Sequence, residues 1–162
     1  MALPAIQTRS RNARSLGFTL LEMLTTATVL LILASAVVPM ARNGIRRQKE
    51  LELRRSLREM RVAIDAYKTM ADQQKIAAPP LENNGYPEDL DILVEGAPMM
   101  GKTTKMRFLR RIPVDPFTDK PEWGRRSIND DPDSSSWGGS NVFDVYCQSQ
   151  GKGMNGIPYK EW

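Results

Sequence analysis

The sequence contains no histidine and a single cysteine among its 162 residues. Without an imidazole, His-based catalytic triads, His general bases and the usual zinc ligands are excluded. Cys147 has no partner for an intrachain disulfide or a CxxC site. As a nucleophile it would lack an imidazole base, so we interpret it as a half-buried structural thiol. These absences argue against an enzyme.

Acidic residues are missing from residues 1–17, which carry three arginines. Residues 42–62 have eight Arg or Lys against three Glu, whereas residues 63–162 have twelve against fifteen acids. No basic globular face is left to follow a phosphate backbone, so we expect no nucleic-acid partner. The alternative is that the arginines of residues 42–61 lie on a hydrated helix face and pair with acids of neighbouring copies, instead of binding nucleic acid. Those acids are Glu50, Glu52 and Glu59.

One acidic side chain interrupts the long apolar run of the chain. Phe18 to Val38 is 21 residues long and its only charge is Glu22. At about 1.5 Å per residue the run spans roughly 30 Å, which predicts a transmembrane helix. An ionisable group at membrane depth costs about 2.5–3.5 kcal/mol on insertion scales. Its presence therefore indicates that Glu22 has a functional role and pairs with a partner group. Hydroxyls are tolerated there because they bond back to helix carbonyls; they belong to Thr25, Thr26, Thr28 and Ser35.

The helical pattern continues beyond this run. Pro39 and Gly44 predict a kink or local melting over residues 35–44, because a proline removes a backbone hydrogen bond and clashes with the preceding turn. Further on, apolar residues alternate steps of four and three and so share one helix face. We expect the C-terminal half of this apolar stripe to pack on the chain's own sheet and its N-terminal half to form a subunit interface. The apolar stripe consists of Leu53, Leu57, Met60, Ile64, Tyr67 and Ala71.

The segment Ala77-Ala78-Pro79-Pro80 predicts the end of the helix. Beyond them Pro, Gly, Asn and Asp separate short apolar pieces, which predict a short helix over residues 87–94 and strands near residues 123–128 and 142–146. Residues 130–139 form a polar loop. The predicted fold class is α+β: a long N-terminal helix, transmembrane and then amphipathic, packed on a small antiparallel sheet with a loop-rich C-terminal domain, in the manner of a lollipop.

The N-terminal junction Gly17-Phe18-Thr19-Leu20-Leu21-Glu22 resembles that of type IV pilin-like proteins. The resemblance implies that a prepilin peptidase cleaves between Gly17 and Phe18 and that the new amine of Phe18 is N-methylated. It also implies that Glu22 pairs with the Phe18 ammonium of a neighbouring subunit during assembly. Pairing the two charges relieves a cost that each would carry alone in hydrocarbon, and it sets the register between subunits.

Downstream motifs resemble the major pseudopilin of the type II secretion system. That family has a Tyr-Pro and two leucines before an Ile-Pro-x-Asp-Pro-aromatic segment, and then a closing strand with a Gly-rich tail. From the residues alone, the Pro-x-Asp-Pro segment is a rigid turn. The matching residues are Tyr86, Pro87, Leu90, Leu93, Phe108, Leu109, Ile112, Pro113, Asp115, Pro116 and Phe117, then Val142 to Tyr146, Gly151, Gly153 and Gly156.

The resemblance implies a pseudopilin subunit of the inner membrane, single-pass, with its C-terminal domain in the periplasm, which polymerises into a pseudopilus that drives protein export. Its implied partners are further copies of itself, minor pseudopilins, an inner-membrane assembly platform and the prepilin peptidase. The predicted organisation is a cleaved leader over residues 1–17, an assembly helix over 18–38, its amphipathic continuation over 39–76 and a globular domain over 77–162.

The C-terminal loop departs from this family. Major pseudopilins usually bind Ca²⁺ through aspartates after the last strand, whereas residues 147–155 contain no acid and one lysine. Since Ca²⁺ takes six to eight oxygen ligands, carboxylates from elsewhere would have to supply some of them. The alternatives are a solvated turn loop, or hydrogen bonds from side chains such as Ser149 and Asn155 in place of the metal. The candidate calcium ligands are Asp130, Asp131, Asp133 and Asp144.

Three other interpretations of the chain stay open. A type IV pilin would build a surface fibre for adhesion, motility or DNA uptake, although a single Cys cannot form the C-terminal disulfide of many such pilins. A monomeric periplasmic module anchored by an uncleaved helix would not depend on Glu22. A conventional signal peptide would use the small-x-small site Ala34-Ser35-Ala36, but Glu22 would interrupt its apolar core.

Overall fold

The structure, a computed structural model, describes residues 17–162, without the side chains of residues 36–41. Apart from Gly17, the predicted leader lies outside the described residues. The chain divides into two compact units between Arg42 and Asn43. The α+β class is confirmed, with a long helix and small antiparallel sheets.

Helix α1 extends from Leu20 to Asp72 and contains 53 residues. Thr19 caps its start, because Thr19 Oγ1 accepts a hydrogen bond from the Glu22 amide at 3.2 Å, as a Thr N-cap does. The helical assignment continues through Pro39 and Gly44. The local melting predicted around these two residues is therefore not seen, and the kink stays a prediction.

The prediction that the helix continues to residue 76 is wrong, because α1 ends at Asp72 in a Schellman turn. Gln74 adopts a left-handed φ of 53°. Its amide donates to the Ala71 carbonyl at 2.9 Å, and the next amide donates to the Met70 carbonyl at 3.0 Å. This pair of bonds satisfies the last carbonyls of a helix and reverses the chain.

Four short strands form two separate antiparallel pairs. Strand β1 (Ala97–Pro98) pairs with β2 (Lys105–Met106), and β3 (Gly124–Arg126) pairs with β4 (Asp144–Tyr146). The predicted strands near residues 123–128 and 142–146 are thus confirmed with shorter bounds. Sequence reasoning missed β1 and β2, because a strand of two residues leaves no alternation to detect.

The remaining elements are short helical turns. Helix α2 (Asp91–Glu95) lies within and just beyond the predicted 87–94 helix, and the preceding Leu90 and its own Leu93 are buried. Two 3₁₀ turns occupy Leu81–Asn83 and Tyr159–Glu161.

The second compact unit, residues 43–162, is called the globular unit below. The apolar stripe of α1 forms one side of its core. All six of its residues are buried, with exposed fractions from 0 to 8%. Two predictions are corrected by this packing: Leu53 and Leu57 are not free for a subunit interface, and the compact unit begins at Asn43 and not at residue 77. The reason is that such short strands supply too few apolar side chains to close a core without the helix. The stripe packs with Leu90, Leu93, Leu109, Trp123, Val142, Val145 and Cys147.

Replacing Leu57 by Ala tests this packing. Leu57 is 2% exposed, so Leu57→Ala should lower the free energy of unfolding by about 2–5 kcal/mol through lost burial and a residual cavity. Leu51 lies on the same helix and is 62% exposed, so Leu51→Ala should change it by no more than about 0.5 kcal/mol. Urea unfolding followed by tryptophan fluorescence measures both, and equal midpoints would show that the stripe is not the core.

Candidate processing and assembly site

The bond between Gly17 and Phe18 lies in an exposed segment that precedes helix α1. Neither residue is helical, and Phe18 is 74% exposed. Helix α1 begins only at Leu20, with Thr19 as its cap. Within the described residues, the bond therefore lies outside the helix.

Glycine at position 17 has no role in the described fold. A Cβ built on Gly17 meets no described atom within 4 Å, and its φ lies outside the left-handed region that favours glycine. Neither space nor backbone conformation within the described residues requires glycine there.

Glu22 occupies the first turn of α1, where a carboxylate is favoured by the helix dipole. Its amide is bound by Thr19, and its carbonyl accepts hydrogen bonds from the hydroxyls of Thr25 and Thr26, each at 2.9 Å. Glu22 is exposed, and within residues 17–162 no ion pair includes its carboxylate. The backbone of this residue is thus engaged within the helix, whereas its carboxylate is exposed and has no ion-pair partner among the described residues.

The helix around Glu22 presents apolar side chains in every direction. Leu30 to Leu33 are four consecutive exposed residues, and at 3.6 residues per turn they encircle the helix. The hydroxyls of Thr28 and Ser35 donate to carbonyls one turn earlier, at 2.8 and 2.7 Å, as predicted. An apolar surface of this extent marks a contact with protein or lipid. The large exposed apolar residues here are Phe18, Leu20, Leu21, Met23, Leu24, Val29, Leu30, Leu31, Ile32 and Leu33.

Among the residues whose side chains are described, no helical segment is both long and apolar enough to cross a membrane. The span predicted for residues 18–38 includes residues 36–38, whose side chains lie outside the described part, and so it stays a prediction.

The Pro-x-Asp-Pro-aromatic element forms a rigid turn, as predicted. Asp115 is buried, and its Oδ1 accepts a hydrogen bond from the Phe117 amide at 2.8 Å. The Asp115 amide donates to the Lys120 carbonyl, and the Pro113 carbonyl accepts from the Trp123 indole at 2.8 Å. The element is thus part of the scaffold of the globular unit.

The other motifs on which the resemblance rests also have structural roles. Pro87 is buried, and its carbonyl accepts a hydrogen bond from the Val142 amide at 2.8 Å. The ring of Tyr86 packs edge-on against Phe143, with centroids 5.3 Å apart. Both contacts join the chain before α2 to the chain that leads into β4. Pro116 is buried, and its carbonyl is bound by Lys49 of α1.

Asp130, the first calcium candidate, is engaged by its own loop. Its Oδ2 accepts hydrogen bonds from the amides of Ser127 at 2.7 Å and Gly138 at 3.0 Å. These two amides lower the pKa of Asp130, that of Ser127 more strongly. Asp131 and Asp133 are exposed in the same loop. The polar loop is therefore closed by an aspartate that binds backbone N–H groups.

Asp144, the fourth candidate, is engaged by arginines. It pairs with Arg61 of α1 at 2.7 Å and with the buried Arg126 of β3 at 3.7 Å. Within residues 17–162 no group of three or more acidic, Cys or His side chains is arranged to hold a metal. The four aspartates are not brought together, so the residues present do not fit the calcium site that the resemblance implies.

Sequence reasoning missed a polar cluster where α1 meets the C-terminal loop. Glu50 is only 9% exposed, and its Oε1 accepts hydrogen bonds from the Met154 amide at 2.8 Å and from the Tyr159 hydroxyl at 3.1 Å. Arg46 donates to the Lys152 carbonyl and to the Tyr159 oxygen. Glu50 is thus hydrogen-bonded within its own chain through Oε1, and its pairing with arginines of neighbouring copies stays a prediction.

A sequence signal for this cluster exists. Glu50 lies three residues before Leu53, so it continues the apolar stripe by one helical step. A carboxylate on a buried helix face needs a hydrogen-bonding partner. Of the side chains expected to order the loop, Ser149 accepts from the Gly151 amide and Asn155 from the Ile157 amide, at 3.3 and 3.1 Å.

Cys147 is a structural thiol, fully buried where we expected half burial. Burial raises the pKa of Cys147 to about 12, and the neighbouring Asp115 carboxylate adds to the shift. The thiol is therefore protonated at neutral pH and is a poor nucleophile.

Comparisons of the chain with models of known protein families, with curated proteins and with solved structures find no match. Function is therefore inferred from the residues and their geometry.

The buried thiol gives a test of the folded state. With a pKa of about 12 against an ordinary 9.0, the folded protein at pH 8 holds about a thousandfold less Cys147 thiolate than the unfolded chain. Iodoacetamide should therefore modify Cys147 rapidly in urea and barely at all without it, as measured by intact mass. Because the folded pKa is raised, stability should also fall as the pH rises from about 9 towards 12. Equal alkylation rates in the two conditions would contradict the burial.

Proposed function

We propose that the chain is a pseudopilin subunit, which inserts in the inner membrane, loses its leader and polymerises into a periplasmic filament for protein export by the type II secretion system. The observation that carries the proposal is the exposed apolar surface of residues 18–35 with Glu22 as its single charge. The apolar stripe further along α1 is buried. The apolar side chains of the stripe are thus packed within the chain, whereas those of residues 18–35 are exposed. The finer fold that we propose is the pilin-like one, with residues 18–38 as a transmembrane helix.

Processing between Gly17 and Phe18 is supported by the exposure of that bond and by a glycine for which the described fold has no use. Cleavage would leave the new amine of Phe18 one residue before the Thr19 cap. The N-terminus of a helix carries a partial positive charge, so an ammonium there is favoured only if an anion compensates it. We propose that prepilin peptidase makes this cut.

Glu22 is the anion that the proposal assigns to this ammonium, contributed by a neighbouring copy. Lipid tails are as apolar as leucine, so burial alone does not fix how such helices pair in a membrane. A carboxylate in hydrocarbon is costly, and pairing it with an ammonium relieves the cost of both charges. Because Glu22 lies about 6 Å of helix rise beyond Phe18, the pair selects a neighbour displaced by a defined axial step.

The proposal gives the chain no catalytic role. Its one thiol is buried and protonated, and its Pro-x-Asp-Pro turn around Asp115 is part of the scaffold. The partners that we propose are further copies, minor pseudopilins, the inner-membrane assembly platform and the prepilin peptidase. We propose no cofactor and no nucleic-acid partner.

Removing the Glu22 carboxylate tests assembly. Glu22→Ala should reduce cross-linked multimers in the native membrane at least tenfold, because the ammonium of each neighbour loses its partner. Glu22→Asp, which keeps the charge, should retain part of the assembly. Glu52 is exposed on α1 beyond the apolar run, so Glu52→Ala is the matched control and should assemble normally. Protection of Cys147 from iodoacetamide verifies that each variant is folded.

An unchanged multimer yield in Glu22→Ala would contradict the filament and support a monomeric anchored module. Long fibres recovered from the cell surface by shearing, without a defect in protein export on deletion of the chain, would instead support a type IV pilin.

A further inference from the structure

The C-terminal loop, residues 147–157, connects β4 to the final 3₁₀ turn and has no acidic residue. In the family that the chain resembles, calcium holds the corresponding loop. Of the candidate calcium ligands, Asp130 is held by backbone amides and Asp144 by arginines, and within the described residues the candidates form no metal-binding group. Something other than a calcium site must therefore fix this loop.

Glu50 of helix α1 reaches into this loop from across the globular unit. One carboxylate oxygen binds both the Met154 amide, at 2.8 Å, and the Tyr159 hydroxyl, at 3.1 Å. Hydrogen bonds to a charged group are about twice as strong as neutral ones. The carboxylate thus fixes one residue in the loop and one in the turn that follows it.

Arg46 completes the same cluster one helical turn earlier. Its guanidinium donates to the Lys152 carbonyl and to the Tyr159 oxygen, and its Nε lies 3.5 Å from Glu50 Oε1. The Tyr159 ring also stacks on Phe117, with centroids 4.1 Å apart. Burial raises the pKa of Tyr159, so its hydroxyl stays protonated and donates to the carboxylate.

We propose that the Glu50 carboxylate replaces a metal ion as the lock of the C-terminal loop, so that the fold of this chain does not depend on calcium. A calcium ion takes six to eight oxygens, and this cluster offers one carboxylate whose Oε1 already has two donors. The guanidinium of Arg46 beside it would repel a dication. The lock is a property of the globular unit and does not rest on the proposed filament.

Chelation tests the lock on the full chain. Lys152 is exposed, but its carbonyl is bound by Arg46 and the next residue, Gly153, is buried. Trypsin cleavage after Lys152 should therefore be faster when the loop opens, and mass spectrometry of the peptide that begins at Gly153 reports the rate. EGTA and added CaCl₂ should each leave this rate and the thermal midpoint unchanged. If EGTA accelerates the cleavage or lowers the midpoint, and calcium reverses the change, a metal holds the loop and the proposal is overturned.

Substitution tests the carboxylate itself. Glu50→Ala should speed cleavage after Lys152 roughly tenfold or more, because the loop loses two charge-assisted hydrogen bonds, and calcium should not restore protection. Glu50→Gln keeps an acceptor oxygen and should fall between Glu50→Ala and the parent chain. Glu52→Ala, on the exposed face, should match the parent chain. Should Glu50→Ala fail to fold, Tyr159→Phe removes one donor while keeping the ring stacked, and should still speed cleavage measurably. Cleavage at the parent rate in every folded Glu50 and Tyr159 variant would overturn the proposal.

Discussion

The globular unit depends on the packing of its own part of helix α1 against chain segments that have little regular structure. Its four strands have only two or three residues each, and they form two separate pairs. Two-stranded sheets are marginal alone, so the buried stripe of α1 provides the surface on which the loops become ordered. The stripe is buried in this packing, whereas the large apolar residues between Phe18 and Leu33 are exposed.

Polar side chains of the same helix fix the loops that hydrophobic packing alone would leave free to slide. Arg61 binds Asp144 and the terminal carbonyl of Trp162, Lys49 binds the Pro116 carbonyl, and Glu50 binds the last loop. Burial is non-directional, whereas these bonds select one arrangement.

Sequence periodicity predicts the part of this architecture that repeats along the helix. Steps of four and three identify the whole buried stripe, and apolar positions identify Leu90, Leu93 and the strand that ends at Tyr146. The exact helix end was not predictable, because Gln74 takes a left-handed φ that favours glycine. The Glu50 lock was missed because its partner Met154 is 104 residues away in sequence. The candidate site at Gly17, Phe18 and Glu22 could be predicted because its motif is local in the sequence. The structure adds that the Gly17–Phe18 bond and the Glu22 carboxylate are exposed.

The central claim is that cleavage makes Phe18 the first residue of the chain, and that Glu22 pairs with the Phe18 ammonium of a neighbouring copy. Intact mass and N-terminal sequence of the protein purified from its native membrane test this most directly. The account predicts a chain that begins at Phe18 and is heavier by one methyl group. A chain that retains residues 1–17, or one that begins near Val37, would contradict it, because either would remove the ammonium that Glu22 is proposed to bind.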